Sequence, residues 1–436
     1  MKLFYLFLGL LVFSSCSVTQ KISKKAKKEM INDPALLPAH VGIAVYDADE
    51  GKYLYEYQGR KYFVPASNTK LFSLYAGMKY LKDSLPGLKY FETNDTLYVQ
   101  PTGDPSLLHP DFKYQPVADF LKSKNKPVVI NTANWKEEAL GYGWAWDDYN
   151  DDYMAERSPL PVYGNVVWWK QTNGTGNSQA IIQSTPFLKW EQNQQAGGTN
   201  TKFFVKRKRD ENYFQITPGT NTAAQEVPFV TDGINTAKLF LADSLKITVS
   251  SSAQPLMSSK QLQTIFSIPS DTLYKIMMHR SDNFFAEQTL LMAANEKLGI
   301  MNDEAMISFL KKNDFKDIPQ QPKWVDGSGL SRYNLFTPES FVWLLNKLKN
   351  DFGFERLKNI LATGGSGTLS NLYKEEKGFI FAKTGSLSNN TSLSGYLITK
   401  KNKLLIFSFQ AGNFQTSTGP VRLAFERFVK YLRNNF

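Results

Sequence analysis

Apolar residues alternate with polar ones near both ends of the chain and recur at helical spacing between these ends. Alternation over residues 41–46 and 53–57, around a polar turn, predicts an N-terminal hairpin of two strands. Near the C-terminus, apolar runs predict three strands, at residues 378–383, 392–398 and 404–410. Helical spacing occurs in five further segments, residues 69–82, 284–298, 303–312, 338–348 and 420–434. If the chain ends meet, the five strands can form one sheet with helices around it.

The middle of the chain, residues 91–254, has a different composition. Asn, Gln, Thr, Gly and aromatic residues dominate there, and short alternating runs occur at residues 203–205 and 213–216. This pattern predicts a β-rich insertion of one or two subdomains. The parts of the chain on either side, residues 36–90 and 255–436, are then expected to form one domain together.

The first 16 residues have the layout of a secretory signal peptide. Lys2 precedes an apolar run over residues 3–13, and small residues and Cys16 follow it. This arrangement resembles a bacterial lipoprotein signal and predicts lipidation of Cys16. The alternative is an ordinary cleaved signal with an incidental cysteine. The lysines within residues 17–35 predict a solvated basic tether, or else a segment held against anionic lipid headgroups. The body of the protein is expected in the cell envelope, in the periplasm.

Composition limits the chemistry that the chain can carry out. Its 436 residues are 42% hydrophobic and 21% charged, which is typical of ordered globular domains. The net charge of +11 comes from dispersed lysines, so nucleic acid is not an expected partner. One cysteine excludes an internal disulfide, and His40, His109 and His279 are too scattered for a zinc site of the usual spacing. We therefore expect no metal or organic cofactor, and catalysis by hydroxyls, amines and carboxylates.

Ser67 and Lys70 form an SxxK motif at the start of a predicted helix. Residues three apart share one helix face, and their Cβ atoms lie about 5–6 Å apart. A serine hydroxyl becomes a good nucleophile when a base removes its proton, and a lysine that has lost its charge can be that base. The motif alone is weak evidence, because it recurs at residues 123–126 and 308–311, where ordinary surface residues are expected.

Two further motifs distinguish Ser67 from these repeats. Ser281-Asp282-Asn283 opens a predicted helix, and Lys383-Thr384-Gly385 ends a predicted strand. SxxK, S-D-N and K-T-G in this order resemble the signature of penicillin-binding proteins and class A β-lactamases. Longer strings resemble the low-molecular-mass class C D-alanyl-D-alanine carboxypeptidase/endopeptidases, and they occupy residues 65–71, 103–107, 143–148, 281–287, 326–332 and 383–387.

This resemblance implies a fold and a substrate class. The fold would be a β-lactamase/transpeptidase-like α/β (α+β) domain, with an antiparallel five-stranded sheet flanked by helices, built from residues 36–90 and 255–436. The substrates would be peptidoglycan stem peptides, β-lactams would be covalent inhibitors, and no cofactor would be needed. Contact with the membrane would be made through the lipid anchor alone.

The resemblance also implies roles for individual residues. Ser67 would be the nucleophile, Lys70 the base and Ser281 a proton relay to the leaving amine. The backbone N–H groups of Ser67 and Ser386 would form the oxyanion hole. Asn283 would contact the substrate amide. The terminal carboxylate would be bound by Lys383, Thr384 and Gly385. The diamino-acid side chain would be contacted by Trp144, Asp147 and Arg332. For Trp144 and Arg332 the alternatives are core packing and a surface ion pair.

Two other functions share these motifs. A β-lactamase of class A needs a glutamate-activated water to hydrolyse its acyl-enzyme, and the glutamate usually lies in an E-x-x-x-N string. No glutamate between the first two motifs has an asparagine four residues later, which argues against rapid turnover by that route. A non-catalytic muropeptide-binding protein is the other alternative, but a pure binder has no need of a nucleophile and its base.

Overall fold

The computed structural model describes residues 19–172, 181–187, 192–194, 202–254 and 262–436. These residues form two compact units. The first unit contains the chain up to Tyr75, then Tyr274–Asp282 and Ile307–Phe436, and the second contains Ala76–Leu273 and Asn283–Met306. The predicted signal peptide and Cys16 lie outside the described residues, and no described helix is both long and apolar enough to span a bilayer.

The first unit is built on an antiparallel sheet of six strands. Their order across the sheet is Ala362–Thr363, Ile380–Leu387, Asn390–Ile398, Leu404–Gly412, His40–Asp47 and Lys52–Tyr57. The chain ends do meet, because His40 pairs with Gly412 and Asp47 with Leu405. The five predicted strands are therefore confirmed as one sheet. The two-residue strand at its edge, which is too short to leave a sequence pattern, was not expected.

The basic N-terminal segment was predicted wrongly as a solvated tether. Residues 19–26 are α-helical and continue into a π-helical turn, Lys27–Ile31. Ile22, Ala26 and Met30 have no exposed surface and belong to the core that also contains the terminal helix, Thr418–Asn435. These apolar residues are spaced by four, so they form one helix face, while most of the lysines lie on the exposed side.

The other α-helices of the described residues have the following bounds: Lys70–Tyr80, Pro116–Lys124, Asn235–Leu245, Ser270–Arg280, Asn283–Leu298, Asp303–Lys312, Pro338–Phe352, Phe354–Ile360 and Thr418–Asn435. All five predicted helices are present. The first of them begins with a 3-10 turn, Ala66–Thr69, before the regular helix starts at Lys70.

The second unit contains three sheets. The largest has the strand order Val249–Ser252, Val128–Asn131, Leu97–Pro101, Ser84–Glu92 and Gln263–Pro269. One of the two smaller sheets has the strand order Ala223–Pro228, Val166–Thr172 and Ile181–Thr185. The other has the strand order Gln192–Gln194, Phe214–Thr217 and Phe204–Arg207. The unit is larger than the predicted insertion because its main sheet recruits Ser84–Glu92 and Gln263–Pro269, which pair with each other. Residues 76–90, 262–273 and 283–306 thus belong here rather than to the other unit.

Candidate active site

Ser67 lies in the 3-10 turn that precedes the helix Lys70–Tyr80. Lys70 Nζ donates a hydrogen bond of 2.9 Å to Ser67 Oγ and a second of 2.8 Å to the Ser328 carbonyl. The Lys70 side chain has no exposed surface, whereas Ser67 is partly exposed. The turn and the i to i+3 spacing therefore place a buried amine directly against an accessible hydroxyl.

A loop at residues 326–331 supports this turn. The buried Asp326 carboxylate accepts hydrogen bonds from the backbone N–H groups of Gly329 (2.8 Å) and Ser331 (2.7 Å) and from Asn334 Nδ2 (2.7 Å). Gly329 has a φ of +83°, and a Cβ there would collide with the carbonyl of Ala66. The loop thus fixes the Ser328 carbonyl that holds Lys70.

A second lysine and serine lie at the strand Ile380–Leu387. Lys383 Nζ donates hydrogen bonds to Ser281 Oγ (2.8 Å) and to the Thr384 carbonyl (2.7 Å). Burial holds the pKa of Lys383 well below its ordinary value, and the positive charges of Lys70 and Arg422 lower it further. Ser281 itself has a φ of +62°, a conformation that few non-glycine residues adopt.

The strand is held directly against the Ser67 turn. Asn68 Nδ2 donates to the Lys383 carbonyl (3.0 Å), and Ser392 Oγ donates to the Pro65 carbonyl (2.7 Å). A Cβ on Gly385 would lie 2.6 Å from the Pro65 oxygen and 3.0 Å from the Ser67 nitrogen. Only glycine allows this approach, so the third motif brings Ser281 and Lys383 into the same site as Ser67 and Lys70.

Arg422 is a site residue that the sequence analysis missed. It lies near the N-terminal end of the helix Thr418–Asn435, and its guanidinium donates a 2.8 Å hydrogen bond to Ser386 Oγ. A cation is unfavourable at a helix N-terminus because the helix dipole is positive there. That mismatch is the one local signal that could have drawn attention to it.

The other predicted residues of the first unit differ in their exposure. Arg332 is exposed, and its guanidinium donates a 3.1 Å hydrogen bond to the Ser388 carbonyl. Thr384 is buried, whereas Ser386 exposes its side chain.

Asn283, Trp144 and Asp147 belong to the second unit. Asn283 begins the helix Asn283–Leu298, and its Nδ2 donates a 2.9 Å hydrogen bond to the Tyr153 carbonyl. Trp144 is half-buried, with the Arg157 guanidinium 5.5 Å from its ring centroid, and Asp147 is exposed in a short turn. The substrate contacts implied for these residues stay predictions.

The two other SxxK strings have the surroundings expected of surface residues. Ser123 and Ser308 are exposed, and the lysine of the first string, Lys126, pairs with Glu92. Across the described ranges, no group of three or more His, Cys, Asp or Glu residues is arranged to hold a metal ion.

The arrangement of sheet, turn and motifs defines a class of proteins. The crystal structure of penicillin binding protein 4 (dacB) from Haemophilus influenzae is similar, with a TM-score of 0.74 and 20% identity, covering 95% of this chain and 99% of that one. The same protein has been solved with a bound β-lactam. A predatory endopeptidase from Bdellovibrio bacteriovorus, in complex with an immunity protein, gives a TM-score of 0.54 and 15% identity over 91% of this chain and 94% of that one. The fold is therefore transpeptidase-like.

Sequence comparison then identifies the family. The chain belongs to the D-Ala-D-Ala carboxypeptidase 3 (S13) family, whose model matches residues 23–425. Among curated proteins it is similar to the D-alanyl-D-alanine carboxypeptidase DacB of Haemophilus influenzae, with 23% identity over 450 residues, covering 89% of this chain and 90% of the relative. The predicted class of enzyme, a serine-type D-alanyl-D-alanine carboxypeptidase, is confirmed.

Proposed function

We propose that the enzyme cleaves D-alanyl-D-alanine peptides through an acyl-enzyme formed on Ser67. The observation that carries this proposal is the 2.9 Å hydrogen bond between Lys70 Nζ and Ser67 Oγ, made by a lysine with no exposed surface. In its uncharged form, an amine at this distance is placed to accept the serine proton as the oxygen attacks a carbonyl carbon.

The remaining steps use groups close to Ser67. The backbone N–H groups of Ser67 and Ser386 bind the developing oxyanion, where each donor contributes about 3–4 kcal/mol to transition-state stabilisation. The proton then reaches the leaving D-alanine amine through Ser281, which Lys383 holds at 2.8 Å. Water hydrolyses the acyl-enzyme, which restores Ser67 and releases the shortened peptide.

Cationic, hydroxyl and amide side chains bind different parts of the substrate in this proposal. Lys383 and Thr384 bind the terminal carboxylate, since a cation beside a hydroxyl suits that group, and Asn283 binds the substrate amide. Asp147 and Trp144 contact the amine end of the diamino-acid side chain, and Arg332 pairs with its carboxylate. The approach of the strand at Gly385 supports the carboxylate role, because it sets this strand beside Ser67.

Peptidoglycan stem peptides are the proposed substrates, and β-lactams are the proposed covalent inhibitors. The β-lactam bound to the Haemophilus relative supports the second assignment. The endopeptidase with the same fold supports cleavage of cross-links as well as of terminal D-alanine. Such substrates place the enzyme in the cell envelope, in the periplasm, and lipidation of Cys16 stays a prediction.

The test is the intact mass of the protein after mixing with a penicillin. We expect a stable adduct on the wild type and none on Ser67→Ala, whereas Ser123→Ala, in the surface SxxK string, should react like the wild type. Hydrolysed drug beside unmodified protein would instead indicate a β-lactamase. Folded protein that gives neither adduct nor hydrolysis would refute the acyl-enzyme and favour a non-catalytic binder.

A further inference from the structure

The segment between Glu137 and Arg157, here called the recognition loop (residues 138–156), lies in the second unit and carries Trp144 and Asp147. Its regular structure amounts to two 3-10 turns, Trp146–Asp148 and Asp152–Met154. Trp146 at its tip is 70% exposed. Turns this short do not fix a loop of this length, so its position depends on side-chain contacts.

Arg157 supplies the contacts at the base of the loop, while Asn150 makes hydrogen bonds to the strand Phe204–Arg207 farther along it. The Arg157 side chain is only 2% exposed, and its guanidinium donates hydrogen bonds of 3.2 Å to the carbonyls of Glu138 and Leu140. Its backbone N–H donates a 2.7 Å hydrogen bond to the Ala139 carbonyl. The same guanidinium lies 5.5 Å from the centroid of the Trp144 ring. One buried cation thus ties together the two ends of the loop and Trp144.

Three carboxylates converge on the same guanidinium. Its Nη1 is 2.6 Å from Asp303 Oδ2 and 3.5 Å from Glu287 Oε2, and its Nη2 donates a 3.1 Å hydrogen bond to Glu137 Oε1. Glu287 lies one turn after Asn283 on the helix Asn283–Leu298. Arg157 therefore connects the recognition loop to the helix that begins with Asn283.

The cluster contains one cation and three acids, so full ionisation would leave an excess of negative charge in a buried place. Burial raises the pKa of Glu137 to about 7, the Arg157 charge opposes this rise, and the Asp303 charge adds to it. Glu137 also accepts a 2.8 Å hydrogen bond from the backbone N–H of Asp303. Glu137 can therefore hold a proton near neutral pH, and the loss of that proton places a further negative charge in the cluster.

We propose that Arg157 is a positioning residue for substrate recognition, and that protonated Glu137 beside it keeps the recognition loop in its binding position. The inference rests on the proposed function, because it assumes that this loop contacts the diamino-acid part of a stem peptide. When the proton is lost, repulsion among the carboxylates loosens the cluster. The loop then binds substrate less well, while the chemistry at Ser67 is unchanged.

The test is steady-state kinetics of the full chain on a stem peptide that contains the diamino acid and ends in D-alanyl-D-alanine. For the wild type, KM should rise severalfold between about pH 6 and about pH 8, on either side of the pKa of about 7, with a smaller effect on kcat. Glu137→Gln keeps an uncharged hydrogen-bonding group at this position, so its KM should rise clearly less between these pH values than the wild-type KM. Arg157→Lys should raise KM roughly tenfold, the size expected for coupling between adjacent groups.

A matched control variant distinguishes the role of Arg157 from the general effect of replacing a charged residue. Lys246→Arg alters an exposed lysine of the same unit, paired with Asp243, and should leave KM unchanged. The inference is overturned if Glu137→Gln and the wild type show the same pH dependence of KM, a comparison that stands even if Arg157→Lys fails to fold. It is also overturned if Arg157→Lys, folded, matches Lys246→Arg. Penicillin acylation is measured in parallel, so that a wild type without an adduct refutes the proposed function instead.

Discussion

Replacement of Gly385 by alanine should slow acylation far more than it destabilises the fold. The new Cβ would lie 2.3 Å from Ser392 Oγ on the neighbouring strand and 2.6 Å from the Pro65 carbonyl oxygen. Ordinary contacts begin at 3.4 Å, so these groups must move apart by up to about 1.1 Å. Overpacking of this size costs about 1–3 kcal/mol of folding free energy. A misplacement of about 1 Å between reacting groups can cost roughly 100-fold in rate.

The assay is the second-order rate of acylation by a fluorescent penicillin, followed beside thermal unfolding of the same preparation. The control is Gly419→Ala in the terminal helix, where an added Cβ meets nothing within 4 Å. We expect acylation of Gly385→Ala to fall roughly 100-fold and Gly419→Ala to match the wild type. Folded Gly385→Ala that acylates at the wild-type rate would refute the argument that this close approach sets the reactive geometry.

Three further substitutions test packing, a buried carboxylate and a buried proton. Met30→Ala should lower the free energy of unfolding, measured by urea titration, by about 2–4 kcal/mol, because Met30 has no exposed surface. Lys27→Ala, at an exposed position, should change it by no more than about 0.5 kcal/mol. Equal changes in the two variants would mean that this segment is a solvated tether after all. Asp326→Ala should lower the free energy of unfolding by about 2–4 kcal/mol and slow acylation, because the donors at Gly329, Ser331 and Asn334 lose their buried acceptor. Unchanged thermal unfolding of this variant would contradict the prediction. Since the folded pKa of Glu137 is about 7 against an ordinary 4.5, the wild type should lose up to about 3 kcal/mol of stability as pH rises between these values. Glu137→Gln should show none of this loss, which urea titrations at several pH values would check.

The sheet of the first unit could be predicted because its strands are apolar and their ends are marked by turns. The active site could be predicted to the level of Ser67, Lys70, Ser281 and Lys383, since each belongs to a short motif at a recognisable position of a helix or strand. What the motifs could not reveal is the geometry between them. The φ of Gly329 and the approach at Gly385 are settled by packing between segments that are far apart in sequence.

The errors have physical causes as well. Residues 19–31 were expected to be solvated because lysines dominate the composition, yet three apolar residues spaced by four are sufficient to seat a helix on a core. Residues 84–90 were assigned to the wrong unit because local sequence does not reveal which strands pair, and this strand pairs with Gln263–Pro269. The contact between Arg422 and Ser386 joins a helix to a strand, and the sequence around each residue does not predict which residue the other one contacts.

The charge of Lys383 should change when substrate binds. Burial, Lys70 and Arg422 all lower its pKa, which favours the uncharged amine in the free enzyme. A carboxylate bound beside it favours the charged form, so substrate binding should take up a proton. We would measure the heat of binding of a D-alanyl-D-alanine peptide to Ser67→Ala in buffers of different ionisation enthalpy.

The same peptide with an amidated C-terminus is the matched ligand, because it cannot supply the negative charge. Proton uptake should accompany the carboxylate peptide and be absent with the amide. Binding of the carboxylate peptide without uptake would mean that Lys383 keeps its proton in the free enzyme. In that case its hydrogen bonds to Ser281 and the Thr384 carbonyl, at 2.8 and 2.7 Å, would have to outweigh both burial and the neighbouring cations. Lys383 could then donate a proton toward Ser281, but it could not first accept one.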